Sequence, residues 1–358
     1  MTKVVRVGDV LIGGGNPVSI QSMSNIETRK VSEVLKQIDS LKDAGCEIMR
    51  LAVNDQEALE GFGEIKKKSS LPLVADIHFD YRLAIGAMEK GADKIRINPG
   101  NIGSRENVKK VVDVAKERNI PIRVGVNSGS LEKDILERYG KVTCEGLVES
   151  ALNSVKIIED FDYDNLVVSI KSSDPKMNYD CYMLMSQKTD YPLHIGVTEA
   201  GTVERGKIKS AVGLGALLLA GVGDTMRVSL TGDPINEIAA AKSILASAGL
   251  YKEPINLVSC PTCGRTKVDL VKIAEGLDKQ LMIAGEKRRK AGLDPLTVAV
   301  MGCEVNGPGE AAGADLGVAC GKGVGILFVK GKIIGKVAED EIGENIIKMV
   351  EDYEKLVR

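Results

Sequence analysis

Two short stretches carry residues whose types and spacing suit metal chemistry. They are Cys260-Pro261-Thr262-Cys263 and Gly302-Cys303-Glu304-Val305-Asn306-Gly307-Pro308-Gly309-Glu310. Two intervening residues let both sulfurs of the first pair point to one side of a turn, so the pair can grip a single metal centre. Cys303 follows a buried-strand pattern, Val298-Ala299-Val300-Met301, and Asn306-Gly307-Pro308-Gly309 forces a tight turn that hands over the carboxylate of Glu310. Three thiolates and one oxygen ligand suit an iron–sulfur cluster with one distinct iron. Zinc is the rival. A structural zinc site normally draws on histidine, however, and neither His78 nor His194 lies in this segment. A redox dithiol would leave Cys303 and the Gly-Pro-Gly turn without a purpose.

A second set of reactive residues is spread through the preceding part of the chain. Short β-rich runs at residues 18–23, 47–53, 73–78, 94–98, 122–127, 166–171, 193–197 and 226–230 alternate with amphipathic helical patterns, among them 31–44, 83–90, 107–118, 147–158, 208–220 and 235–248. Eight β–α units in about 240 residues predict a closed (β/α)8 TIM barrel. An open doubly wound sheet would place a glycine-rich phosphate turn after its first strand, where Ser22-Met23-Ser24-Asn25 stands instead.

Parallel strands buried on both faces should be almost wholly apolar. Here Arg50, Asp76, Arg96, Arg123, Lys171 and Arg227 intrude. Period-two alternation puts Arg96 on one face with Asn98, Arg123 with Asn127, Ser169 with Lys171, and Arg227 with Ser229. An unpaired buried cation is costly, and five at one mouth repel unless an anion sits among them. Barrel enzymes place their chemistry at the carboxyl ends of the strands. Arg50, Arg96, Arg123, Lys171 and Arg227, with Asn127 and Ser229, are therefore expected to cradle a doubly phosphorylated ligand. Internal ion pairs with Asp76 and Glu199 are the alternative.

His78 ends the third strand on the same rim and is counted with the binding residues, although a structural role is open to it. His194 is expected to be a hydrogen-bonded structural group. Glu199, in Thr198-Glu199-Ala200-Gly201, is placed to transfer a proton or hold a hydroxyl. A Schiff base on Lys171 would instead make a non-redox lyase with a structural metal domain. A plain electron carrier or cluster scaffold would leave five strand cations unused. Cys46, Cys144, Cys181 and Cys320 read as buried small hydrophobes.

Composition bounds these readings. A chain of 358 residues suits two domains, and 44% hydrophobic with 27% charged residues is ordinary for a soluble globular protein. A net charge of −2, 3% aromatics and no Trp argue against nucleic acid. The start, Met1-Thr2-Lys3-Val4-Val5, has no signal-peptide pattern, and the most apolar run, residues 211–222, is too short and Gly-rich to span a bilayer. Seven cysteines without secretory context favour a reducing compartment, so a cytoplasmic protein is expected.

The barrel is assigned to residues 1–250 and a smaller α+β iron–sulfur domain to 255–358, joined by Tyr251-Lys252-Glu253-Pro254. The second domain reads as a long helix at 268–289, strands at 297–301, 324–329 and 332–337 with a turn at Lys330-Gly331, and a closing helix at 340–356. The last barrel helix runs back about 20 Å from the catalytic face, and a linker of roughly six residues reaches no more than about 20 Å. A cluster that must meet a ligand in the mouth is then most simply supplied in trans, by a two-fold homodimer.

Several stretches resemble the family of 4-hydroxy-3-methylbut-2-enyl diphosphate synthases, the iron–sulfur reductases of the methylerythritol phosphate route to isoprenoids. They are Ser19-Ile20-Gln21-Ser22-Met23, Arg96-Ile97-Asn98-Pro99-Gly100-Asn101-Ile102-Gly103, Arg123-Val124-Gly125-Val126-Asn127, Thr198-Glu199-Ala200-Gly201, Asp224-Thr225-Met226-Arg227-Val228-Ser229, the CPTCGR at 260–265 and the Cys303 to Glu310 turn. The resemblance covers essentially the whole chain. It implies a [4Fe–4S] cluster on Cys260, Cys263, Cys303 and Glu310. It also implies 2-C-methyl-D-erythritol 2,4-cyclodiphosphate as substrate, ferredoxin or flavodoxin as electron donor, and a head-to-tail homodimer.

Overall fold

The structure is a computed structural model that describes residues 1–303, 311 and 313–357. It divides into two compact units, Met1–Tyr251 and Lys252–Arg358.

The first unit opens with a hairpin of β1 (Val5–Val7) and β2 (Val10–Ile12). Eight parallel strands follow: β3 (Ser19–Met23), β4 (Ile48–Ala52), β5 (Leu73–Asp76), β6 (Lys94–Ile97), β7 (Ile122–Asn127), β8 (Leu166–Lys171), β9 (His194–Ile195) and β10 (Thr225–Met226). Their order is β8-β7-β6-β5-β4-β3-β10-β9, and a parallel bridge from Val168 to Leu193 joins the two outer members into a ring. This is the (β/α)8 barrel that the sequence predicts. The last two strands are shorter than expected, so Arg227 and Ser229 stand just beyond β10 rather than within it.

Local sequence explains the order of elements. Asp174 and Asp233 each precede a proline at the first helical position and accept backbone N–H bonds, which starts the helices Pro175–Ser186 and Pro234–Ser247. The helices lay apolar faces on the outside of the strands, and most of the buried apolar residues of this unit form one continuous cluster there. The barrel bottom is closed separately. Val5, Val7 and Ile12 of the hairpin pack on Ile48, Val74 and Val167, so the interior is dry and apolar only at its strand-start end.

The second unit carries a mixed sheet in the order β11 (Ile255–Ser259), β12 (Leu296–Met301), β13 (Leu316–Gly321), β14 (Val324–Val329) and β15 (Lys332–Ala338). β11, β12 and β13 are parallel and the rest antiparallel. The helices Leu270–Lys290 and Ile342–Glu351 cover one face. The sequence reading lacks β13, whose Gly317 packs so close that a Cβ would lie 2.2 Å from the Ala299 carbonyl oxygen. Among the described residues no helix is long and apolar enough to cross a membrane.

The plug yields a prediction. Ile12 is fully buried in it. Ile12→Ala should lower stability by about 2–4 kcal/mol in urea titrations, and a change under 1 kcal/mol would mean that the hairpin does not close the barrel.

Candidate active site

The inward face of a barrel strand carries every second residue. The pairing register therefore stacks the interior in tiers. Ile48, Val74 and Val167 adjoin the plug, and Arg50, Asp76 and Ser169 stand two residues further along the same strands. Lys171, Arg96 and Asn127 continue the ascent, with Arg96 opposite Arg123 and Asn127 opposite Lys171. At the carboxyl ends these side chains line a cavity of about 230 Å³. All eight residues expected to bind ligand border it: Arg50, His78, Arg96, Arg123, Asn127, Lys171, Arg227 and Ser229. Two larger clefts, of about 880 and 870 Å³, lie at the strand-start end around Lys3 and Asp190. Neither gathers these cations.

Counter-ions are few. Asp76 lies 3.8 Å from Arg50 Nε, 3.3 Å from Arg96 Nη1 and 3.6 Å from His78 Nε2. Burial alone would raise its pKa, but Arg50, His78, Arg96 and Arg123 together hold it well below the usual carboxylate range. Glu237, from the helix Pro234–Ser247, lies 3.5 Å from Arg227 Nη2 and accepts the Leu230 N–H at 3.0 Å. Internal ion pairs thus account for Arg50, Arg96 and Arg227. The acids are Asp76 and Glu237, not Glu199. Among the described residues Arg123 and Lys171 have no carboxylate in ion-pair range, and Arg123 Nε and Nη1 make no hydrogen bond. Burial, followed by their cationic neighbours, presses the pKa of both downward. Arg50 is pushed down to about 10 by burial, partly offset by Asp76.

Two glycines make room for this crowding. A Cβ on Gly125 would lie 2.9 Å from Arg96 Nε, and one on Gly196 would lie 2.8 Å from Lys171 Nζ and 3.0 Å from the Arg227 carbonyl oxygen. Met23 is a further wall residue that the sequence reading does not single out: its Sδ accepts from Arg50 Nη2 at 2.8 Å. Glu237 is missed as well, because its helix looks like ordinary barrel exterior. The signal for Met23 is its inward parity with Ser19 and Gln21.

Two expectations need correcting. His194 is not a hydrogen-bonded structural group. It is fully buried, and neither ring nitrogen has a partner among the described residues, because it points into the barrel interior. Cys144 is only half-buried, because it opens the helix Cys144–Glu159, whereas Cys46, Cys181 and Cys320 are buried. Glu199 is exposed beside the cavity-lining Thr198, makes no ion pair among the described residues, and holds a left-handed φ of 51°. A non-glycine residue in that region stores about 1 kcal/mol or more of strain and persists only where the surroundings impose it.

In the second unit, Cys260 follows β11 and Cys303 follows β12, at the carboxyl ends of neighbouring parallel strands. The Gly302 N–H donates to Cys260 Sγ at 3.1 Å. Cys263 is exposed on the adjoining turn, which a bond from its own N–H to Thr266 Oγ1 at 3.1 Å stabilises. All seven cysteines are free thiols. Among the described residues no three His, Cys, Asp or Glu side chains stand at metal-holding geometry. Glu310 lies outside the described residues. The donor chemistry, free thiols with an amide N–H on one sulfur, fits an iron–sulfur cluster.

Residues 2–242 match the GcpE TIM-barrel domain and residues 256–352 the GcpE protein C-terminal domain. The chain belongs to the GcpE family. A relative from Fusobacterium nucleatum, named 4-hydroxy-3-methylbut-2-en-1-yl diphosphate synthase (flavodoxin), is 54% identical over 99% of this chain and 98% of its own. Relatives of the same name from Caldanaerobacter subterraneus and Clostridium perfringens are 52% and 54% identical, at 99% and 98% coverage of this chain and 98% of each relative. A truncated 3-deoxy-D-arabino-heptulosonate 7-phosphate synthase from Thermotoga maritima shares the barrel fold alone. It has a TM-score of 0.50 and 13% identity, and the match covers 70% of this chain and 94% of that one.

The crowding around Lys171 is testable. Gly196→Ala should displace Lys171 and weaken binding of the cyclic diphosphate about tenfold or more, with an unchanged circular dichroism spectrum. Undiminished affinity in equilibrium dialysis would show that Lys171 does not depend on the missing Cβ.

Proposed function

We propose that this chain catalyses the reaction for which its relatives are named, the reductive opening of 2-C-methyl-D-erythritol 2,4-cyclodiphosphate to 4-hydroxy-3-methylbut-2-enyl diphosphate. Two electrons and one proton enter. A ring C–O bond to phosphate breaks, a hydroxyl departs as water, and a carbon–carbon double bond forms. The observation that carries this reading for the barrel is the pair of buried cations, Arg123 and Lys171, that face the cavity with no carboxylate in ion-pair range among the described residues.

The cations bind and orient. Arg50, Arg96, Arg123, Lys171 and Arg227 receive the two phosphates, while Asn127, Ser229 and His78 offer hydrogen bonds at the rim. The ring-opened product carries one negative charge more than the cyclic substrate. Fixed cations in a small cavity stabilise that charge as it develops, without reorganising at the moment of reaction. Glu199 serves as the proton donor or hydroxyl anchor, and its strained backbone supports such a role. Cys260, Cys263, Cys303 and Glu310 would hold a [4Fe–4S] cluster. When bound, such a cluster supplies single electrons at low potential, which side chains cannot.

Reduced flavodoxin is the electron donor that the relatives' names support, with ferredoxin as the other candidate. The reading sets the protein in the cytoplasm, where the thiols stay reduced, as a head-to-tail homodimer in which each cluster domain serves the partner's barrel. The family match and the relatives' names support the reductive reaction and not a Schiff-base lyase on Lys171.

Three outcomes check this. Protein purified without oxygen should hold roughly four iron atoms per chain and turn over with reduced flavodoxin; a colourless, zinc-loaded protein would overturn the redox reading. Glu199→Gln should lower kcat about 100-fold or more with cluster absorbance intact, whereas unchanged turnover would remove Glu199 from the chemistry. Mixing Arg123→Met and Cys303→Ser chains, each inactive alone, should restore part of the activity if the domains act in trans. No recovery after subunit exchange would exclude that arrangement.

A further inference from the structure

Below the cation-lined cavity lies a tier of polar side chains that the reaction does not use. Ser19, Thr225 and His194 are aligned across β3, β10 and β9 by the strand register. Gln21 lies two residues along β3 from Ser19, and Lys94 lies two residues below Arg96 on β6. The interior of a barrel of this type is normally packed with branched apolar residues. Here Ser19 Oγ, both amide atoms of Gln21, Lys94 Nζ, both ring nitrogens of His194 and Thr225 Oγ1 are all buried, and none has a partner among the described residues. The apolar plug seals them from the solvent beneath.

Lys94 is the most costly member of this tier. It is 0% exposed. The charged groups that act on it are Arg123 from β7 and Arg50 from β4, both cations, and burial and those two hold its pKa well below the ordinary lysine value. Lys94 in turn acts on His194 of β9, which burial and the surrounding cations keep neutral. Arg96 stands above it on its own strand, and Lys171 above on β8. Asp76 of β5, in register with Arg96, is taken up by Arg50, Arg96 and His78.

We propose that Lys94 is a further functional residue of this site: uncharged while the cavity is empty, it takes up a proton when the diphosphate binds, so that binding is coupled to proton uptake from solvent. The inference rests on the reading of the cavity as a diphosphate site. An anion among the cations of the tier above would stand about 7 Å from Lys94, the rise of two strand residues. At an effective dielectric constant near 20, each unit of negative charge at that distance raises the lysine's proton affinity roughly 50-fold. A doubly charged ligand therefore draws Lys94 from the amine towards the ammonium form. The added cation also offsets the extra negative charge of the ring-opened product. Lys94 touches no reacting atom in this scheme; it is a positioning residue that adjusts the charge of the cradle.

Stability gives an independent sign. The unfolded chain holds a proton that the folded chain has lost, so burial of Lys94 costs stability at neutral pH. That cost shrinks as pH rises towards the ordinary lysine value of about 10.4. Lys94→Met should therefore raise Tm at neutral pH, and the gain should fade in alkaline buffer. A Tm gain that does not change with pH would mean that Lys94 is already charged in the empty protein and would overturn the proposal.

The direct test is isothermal titration calorimetry of the cyclodiphosphate into the oxidised protein, without reductant, in buffers of different ionisation enthalpy near pH 7.5. Neither phosphate of the cyclic ligand titrates near that pH, so any proton exchanged belongs to the protein. Wild type should take up roughly one proton per ligand bound. Lys94→Met should bind more weakly with that uptake lost. Lys94→Arg, which keeps the charge permanently, should bind with no uptake and serves as the control should the Met variant fold poorly. Binding without uptake in wild type, or uptake undiminished in both variants, overturns the proposal and leaves the diphosphate reading intact. No binding at all removes the diphosphate reading and the proposal with it.

Discussion

Like charges gathered out of water set the terms for the barrel. Arg50, Arg96, Arg123, Lys171 and Arg227 converge on a cavity of about 230 Å³, and the carboxylates paired with them are Asp76 and Glu237. Two unit charges about 7 Å apart at an effective dielectric constant of 20 repel by roughly 2 kcal/mol, and several such pairs act at once. An arrangement of this kind is poor for stability and good for holding an anion. The fold tolerates it because the outside of the strands is mostly apolar and helix-covered, and because the hairpin plug supplies an apolar floor. Stability resides on the outside of the barrel and at its base, and the unbalanced charge inside it.

The same division explains the small residues at the rim. Gly125 and Gly196 are needed for what their missing side chains leave free, since Arg96 and Lys171 occupy that space. Met23 lends a polarisable sulfur to Arg50 where a second carboxylate would have cancelled the charge. Glu199 holds an unfavourable backbone angle next to Thr198. Strain of this sort is kept only where neighbouring structure or function requires it.

Much of this was readable from the chain because the barrel breaks a strong rule. Charged residues in strands that should be apolar stand out by themselves, and period-two alternation tells which face they share; Arg96 with Asn98 and Arg123 with Asn127 are examples. Strand number and spacing were equally legible, since each amphipathic helix separates two short β-rich runs. What escaped had no such contrast. Lys94 opens a strand, where a lysine reads as a solvated end. Ser19, Gln21 and Thr225 are unremarkable polar residues until the register places them inside. Glu237 lies on an exterior helix and reaches Arg227 only through tertiary packing. β13 was lost because Leu316-Gly317-Val318-Ala319-Cys320-Gly321 has two glycines and little alternation. The cysteine motif was legible as well, since three thiols at two strand ends stand out in a chain with no histidine near them.

Thermal unfolding of Arg123→Met with and without 2-C-methyl-D-erythritol 2,4-cyclodiphosphate tests most directly whether the buried cations are held in reserve for a diphosphate. Ligand at about 100 times Kd should stabilise the wild type by about 2.7 kcal/mol. Replacing Arg123 should make the empty protein more stable, because an unpaired buried charge is gone, and should sharply reduce the ligand-induced rise. An empty variant less stable than wild type, with the ligand-induced rise undiminished, would contradict the claim that these cations are held in reserve for an anion.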